Sequence, residues 1–470
     1  MLEITANSLR GVLSASDIVF LPLRIHQNPA LKATLLYIDG MVNALVLNSN
    51  VLKPLTQQPA FDNIDSPRRV VEFIQAGAVY HGAHKLVEDT ETLLDELFMG
   101  NALLIFDELR QAVSFDVKGF ERRGISEPTG ENVIKGPKDT FVEVLRVNTA
   151  TVRRRIRSAA LKIRDFTVGD QIPAGVAMVY LEGAADPALV ERVAERIRNI
   201  RIERVMSAGD FEEQIIDRKY ALFPQTVYTE RPDRFCANIC EGKIGLLIDG
   251  FPVAYVAPGV FTMLLQSAED YAQNWLLGSA VRALRYLAGF LSLVLPAFYI
   301  GVTAFHHELL PEKLALSIVR SKEAVPFTST VEVLVMLLAF EVLIEAGIRL
   351  PKTVGSAVSI VGGLVVGDAA VSAKFVSPAV VVIVAVTGIC GFIIPSQDLA
   401  NAFRITRMLL VAAAAVAGLY GLALALLLLL YYLCTLTSFG EPFMRPYKSK
   451  RGARLLADGF FRFPEQEDSR

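Results

Sequence analysis

The sequence predicts a multi-pass α-helical membrane domain preceded by a soluble α/β region of two related subdomains. Three observations predict it. Charge-poor apolar segments crowd the stretch from about Val281 to Cys434. Of the 470 residues 52% are hydrophobic, yet 20% are charged, so apolar and charged sequence must be segregated along the chain. Ahead of that stretch, short β-like runs recur in a polar setting. The expected divisions are an α/β subdomain over 1–150, a basic linker helix over 151–165, a second α/β subdomain over 166–275, a transmembrane helical domain over 276–440 and a cytoplasmic tail over 441–470.

In the first subdomain, Ala33-Thr-Leu-Leu-Tyr-Ile-Asp-Gly reads as a strand ending in an Asp-Gly turn. A helical stretch surrounds Thr90–Phe98, and Ala102-Leu-Leu-Ile-Phe-Asp is another strand. Further on, Val176-Ala-Met-Val-Tyr-Leu-Glu-Gly resembles the first of these strands. Ile244-Gly-Leu-Leu-Ile-Asp-Gly-Phe-Pro-Val-Ala-Tyr-Val resembles the second with a hairpin added. Between the two halves, Arg146–Arg164 is rich in arginine and holds no acid until Asp165. It reads as a solvated linker helix against a neighbouring acidic surface, with lipid binding as the alternative. Asp186-Pro187 is a helix start, and Leu189, Val190, Val193, Ile197 and Ile200 place an apolar stripe behind it. Pro232 opens a further helix that should end at Gly242.

The apolar segments are Tyr286–Thr303, Val331–Ala346, Val354–Ala373, Ala379–Ile394 and Ile405–Cys434. A helix needs about 20 mostly apolar residues to cross a bilayer core. Val331–Ala346 carries Glu332, Glu341 and Glu345 where an ionised carboxylate is expensive. Glu341, Glu345 and Arg349 fall at i, i+4 and i+8 and are read as one stripe. Glu345 and Arg349 can pair within the helix, which leaves Glu341 needing a basic group on a neighbouring span or a wet cavity. Val354–Ala373 holds Gly355, Gly362, Gly363 and Gly367 with Asp368, and is expected to be kinked or re-entrant. Ala414 with Gly418, and Ala417 with Gly421, are small pairs that let helices approach closely. Basic residues flank the first span (Arg282, Arg285) and the last (Lys448, Lys450, Arg451, Arg454), so both ends should be cytoplasmic and the spans even in number, with four full spans and one broken element.

Several classes are disfavoured. A net charge of −2 argues against nucleic acid as the main partner. Four cysteines make no disulfide framework in so long a chain. Met1–Phe20 lacks a basic start followed by an apolar core, so the soluble part is expected on the cytoplasmic side. No phosphate loop, dinucleotide fingerprint or zinc-protease motif stands out. Cys236 and Cys240, His81 and His84, and His306-His307-Glu308 are more simply packing or interfacial residues than metal ligands. No cofactor, no metal and no enzymatic activity are expected.

Several motifs together carry a resemblance. Asn148-Thr-Ala-Thr-Val-Arg-Arg-Arg-Ile, Phe223-Pro-Gln, Thr229-Glu-Arg-Pro-Asp and Glu241-Gly-Lys-Ile-Gly-Leu-Leu-Ile-Asp-Gly resemble segments of the GerA spore germination family, in particular its A-type subunit. So do Glu345-Ala-Gly-Ile-Arg-Leu-Pro, Ser359-Ile-Val-Gly-Gly-Leu-Val-Val-Gly-Asp-Ala-Ala-Val, Val376-Ser-Pro and Ser438-Phe-Gly-Glu-Pro-Phe. The likeness runs from about Leu35 to Tyr447 in the family's order. His306-His307-Glu308 departs from the His-Pro-Glu common in the family. A receptor A subunit and the stage V sporulation paralogue both fit. The resemblance implies the endospore inner membrane, with the N-terminal region facing the spore core. It also implies a transporter-like B subunit and a lipoprotein C subunit as partners, and a homo-oligomeric, pentameric, nutrient-gated cation channel. A non-conducting scaffold that assembles germination proteins is the alternative. On the channel reading, Glu332, Glu341, Glu345, Arg349 and Asp368 are the candidate pore or intramembrane polar residues.

Overall fold

The structure is a computed structural model that describes residues 3–62, 64–79, 84–119, 130–131, 133, 135–349, 367–445 and 459. The chain divides into two compact units. One comprises Met1–Lys219 with Thr226–Pro258, the other Tyr220–Gln225 with Gly259–Arg470.

The first unit opens with α1 (Ala6–Val12), β1 (Ile18–Arg24) and β2 (Lys32–Ile38), followed by α2 (Pro67–Gln75), β3 (His84–Val87), α3 (Thr90–Phe98), β4 (Ala102–Phe106) and β5 (Gln111–Phe115). After α4 (Leu145–Arg155) come β6 (Leu161–Val168), β7 (Ala174–Leu181), α5 (Pro187–Arg198), α6 (Ala208–Ile215), β8 (Val227–Thr229), α7 (Pro232–Cys240), β9 (Ile244–Ile248) and β10 (Ala254–Ala257). The first sheet runs β1-β2-β4-β5-β3 and the second β6-β7-β9-β10-β8. Every pairing in both is antiparallel. Each sheet is therefore the same five-strand figure, with a helix leading into its central hairpin. The hairpin expected only in the second half is present in both, as β4–β5 and β9–β10.

The central strands are apolar at nearly every position, since both faces are covered. Leu103 and Ile105 pack into one cluster with Leu36, Leu93 and Leu97. Ala102, Leu104 and Phe106 pack into another with Leu35, Val70 and Ile74. In the Asp-Gly turn after β2, Gly40 has φ +81°, and a Cβ there would lie 2.9 Å from the Arg146 carbonyl. Only glycine fits that close approach. Helix α5 starts as its sequence dictates, with the Asp186 side chain accepting from Ala188 N–H and Pro187 in the first turn.

The basic stretch needs correcting. Its helix is α4, ending at Arg155, and residues 161–168 form strand β6. Leu161, Ile163, Phe166 and Val168 lie among charged residues, and the arginines masked a strand from Leu161 onward. The helix is not uniformly solvated either, because Arg153 is fully buried against Asp17. Arg146 pairs with Asp165 at 2.7 Å, and Arg155 with Asp139 at 2.6 Å. These carboxylates engage part of the basic stretch, while Arg154 and Arg157 are exposed.

In the second unit, α8 (Trp275–Ala304) is followed by α9 (Glu312–Lys322), α10 (Ser329–Arg349), α11 (Pro378–Phe392) and α12 (Gln397–Thr435). Two two-residue strands, β11 (Thr437–Ser438) and β12 (Glu441–Pro442), pair beyond them. Among the described residues, α8 and α12 are long and apolar enough to cross a membrane. Helix α11, at 15 residues, falls short of the ~20 that a crossing requires, and α10 carries three glutamates. Residues 351–366, with Gly355, Gly362 and Gly363 of the glycine-broken segment, lie outside the described residues, as do His81 and the basic residues after Tyr447. Residues 367–372 are helical.

Candidate functional site

The polar groups of the helical unit fall into three clusters. At the start of α8, Arg282 and Arg285 are buried rather than displayed at a membrane surface. The Asp270 carboxylate accepts from Arg285 at 2.7 Å and from Arg282 at 3.4 Å, and Arg282 also lies over the Tyr271 ring. Asp270 thereby engages both flanking charges, which weakens the topology signal read from them.

The second cluster surrounds Glu332, 1% exposed. Its Oε2 accepts from the backbone N–H of Ser377 at 2.7 Å, and Lys322 Nζ lies 3.2 Å from Oε1. Ser377 is the N-cap of α11. The carboxylate thus satisfies an amide at a helix N-terminus, where negative charge is favoured. The hydroxyls of Tyr299 and Ser377 are buried in the same cluster. Lys322 also donates to Ser329 Oγ.

The third cluster joins α10 to α12. Glu341 Oε1 accepts from Arg407 Nη2 at 2.5 Å, and Arg404 Nε lies 3.7 Å from Oε2. Arg407 is 4% exposed, and among the described residues its Nε–H has no acceptor. A cavity of about 20 Å³ adjoins them, lined by Ser292, Phe340, Phe403, Arg404 and Arg407 among others. Glu345 instead accepts from Arg349, at 2.9 and 2.7 Å from Nε and Nη2, with both side chains mostly exposed.

These positions revise the single stripe. A helix turns about 100° per residue, so i to i+8 drifts by about 80°. The exposed face of α10 is Val331, Val335, Leu338, Val342, Glu345 and Arg349. Glu341 lies to one side of it, turned toward Arg407. Asp368 is exposed, in the short helical run at 367–372. Within α12, Ala414, Gly418 and Gly421 are buried and Ala417 half-buried. The helix breaks there, with Gly418 at φ 58° and ψ −143°. A Cβ on Gly418 would meet Phe305 at 2.7 Å, so the α8 C-terminus crosses where glycine removes bulk.

Sequence reading assigned no role to Asp270, Tyr299, Lys322 or Arg407. The available signal was chemical, since each charge or hydroxyl buried among apolar helices needs a partner. Cys236 is buried and its thiol is pushed up to about 12 by that burial, while Cys240 is exposed. Among the described residues no group of three or more His, Cys, Asp or Glu could hold a metal ion.

Residues Tyr220–Gln225 belong to the helical unit although both flanks belong to the α/β unit. Phe223, 1% exposed, meets the rings of Phe403, Tyr432 and Phe443. Leu222 N–H donates to the Tyr432 hydroxyl at 3.0 Å, and Ser438 Oγ donates to the Gln225 carbonyl.

Comparison with known proteins places these features. Spore germination protein KA of Bacillus subtilis is 36% identical over 467 residues, covering 99% of this chain and 85% of that protein. Spore germination protein B1 of the same organism is 35% identical over 434 residues, covering 92% and 88%. The crystal structure of the N-terminal domain of the A subunit of the Bacillus megaterium spore germinant receptor GerK3 aligns with a TM-score of 0.44 and 27% identity, over 55% of this chain and 97% of that one. The family model for the Bacillus/Clostridium GerA spore germination protein matches residues 7–470. The chain belongs to the GerA spore germination family.

Proposed function

We infer from family membership a role in spore germination. We propose that the chain is a membrane-spanning A-type subunit of a germinant receptor and that further copies assemble around it, as a pentamer, into a nutrient-gated cation channel. The observation that carries this reading is the exposed face of α10, apolar from Val331 to Val342 and ending in Glu345. A helix face of this kind suits lipid or a neighbouring copy, and its terminal carboxylate would repeat around an axis as an acidic ring. Asp368, also exposed, is the second candidate for such a ring. The partners would be a transporter-like B subunit and a lipoprotein C subunit in the endospore inner membrane, with the α/β unit facing the spore core.

One observation favours a non-conducting scaffold. The carboxylates of Glu332 and Glu341 are engaged by Lys322, Ser377 and Arg407, so neither is free to face an ion path in the single chain. Liposome flux separates the readings. Reconstituted chain, alone and with the B and C subunits, should pass monovalent cations on nutrient addition, and Glu345→Lys should reduce or invert the cation preference. Absence of flux in every combination would establish the scaffold. For topology, a cysteine introduced beyond Tyr447 should resist an impermeant thiol reagent applied outside the cell.

A further inference from the structure

The cavity beside Arg407 combines three features that the pairing of Glu341 does not account for. Its charge does not balance. Among the described residues two guanidiniums, Arg404 and Arg407, share one carboxylate, and Ser292, Phe340, Phe403 and the rest of the lining are neutral. One of the guanidiniums is deeply buried, and among the described residues its Nε–H has no acceptor. A surplus positive charge among apolar helices is costly unless an anion compensates it. The volume, about 20 Å³, suits a small occupant, of the order of a water molecule or a monatomic anion.

We propose that this cavity between α8, α10, α11 and α12 is a halide site, occupied by chloride. The anion accepts charge-assisted hydrogen bonds from the guanidinium groups of Arg404 and Arg407 that Glu341 leaves over. Glu341 holds Arg407 in place and keeps the site to a single net positive charge, so that one monovalent anion brings the cluster to neutrality. Arg404 and Glu341, each about a quarter exposed, give the anion a way in. The site ties four helices together and does not depend on whether the assembly conducts.

The purified full-length chain in detergent tests this, with sodium chloride or bromide replaced by sodium gluconate at constant ionic strength. Halide should raise the unfolding midpoint along a saturable curve, because a ligand that binds only the folded state stabilises it by mass action. Arg404→Gln keeps the Glu341–Arg407 pair and removes the surplus charge. It should weaken the apparent halide affinity by at least about tenfold, since a charge-assisted contact is worth that much, while Arg404→Lys retains a halide response. Bromide-soaked crystals of the unaltered protein should show an anomalous peak beside Arg407, a readout that does not rely on any variant folding. Identical unfolding in chloride and gluconate, no bromide peak beside Arg407, or an unaltered halide response in Arg404→Gln would each overturn the site and leave water as the occupant.

Discussion

Arg153 holds Asp17 by two parallel hydrogen bonds, Nε to Oδ2 at 2.7 Å and Nη2 to Oδ1 at 2.8 Å, with both side chains excluded from water. Its Nη1 also donates to the Leu161 carbonyl at 2.8 Å. The pair joins α4 to the segment before β1 across 136 residues of sequence. Removing one partner strands the other charge, which costs about 3–5 kcal/mol. Asp17→Ala should therefore lower the stability of the α/β unit by that amount. Arg153→Lys should cost less but still measurably, because an ammonium keeps the charge yet cannot bind both oxygens in the fork geometry. Chemical denaturation of the full chain, followed by a probe in the α/β unit, measures both.

Gly418→Ala should destabilise the helical unit. The backbone at φ 58° and ψ −143° is open to glycine and strained for any other residue, at about 1–3 kcal/mol. The added methyl would also press on Phe305. The thermal midpoint in detergent should fall, whereas Ala412→Gly, at an exposed position on the same helix, should cost only about 1 kcal/mol.

Glu341 and Glu345 should separate sharply under neutralisation. Glu341→Gln leaves Arg404 and Arg407 facing each other without a carboxylate. Its cost should fall toward the lower end of the ~3–5 kcal/mol of a broken buried pair, as Glu341 is partly exposed. Glu345→Gln breaks only an exposed i, i+4 pair and should change stability by less than about 1 kcal/mol. Membrane accumulation and thermal midpoint report stability, and flux in liposomes reports any separate effect on conduction.

Acid should loosen the first sheet. Burial of the Glu96 carboxyl opposes ionisation, but hydrogen bonds from Ser114 and Asn101 and the ion pair with Lys85 outweigh it, so Glu96 titrates below its ordinary 4.5. A carboxylate lowered in the folded state stabilises above its unfolded pKa, and the contribution fades as pH falls through the folded value. Amides of β4 and β5 should lose protection in hydrogen exchange as pH falls below the ordinary carboxylate value and through the lower folded one. Ser114→Ala, which deletes the 2.9 Å bond to Glu96, should make that loss smaller.

Local pattern was enough for several features, because they depend on neighbours in sequence. The Asp186-Pro187 start of α5, the Asp-Gly turns, the long apolar runs of α8 and α12 and the Glu345–Arg349 pair each follow from spacing on one element. The sequence also made clear that Glu341 needed a partner, since an ionised carboxylate among apolar residues is too costly to leave alone. It could not say which one. Arg407 lies 66 residues away, and only the packing of α12 against α10 brings the two side chains together. The same holds for Asp17 with Arg153 and Glu332 with Ser377, and for strand β6 inside a run of arginines. Helix and strand periodicity fix which face a side chain occupies. What that face meets is decided by tertiary packing, where burial makes an unpaired charge intolerable and so selects the partner.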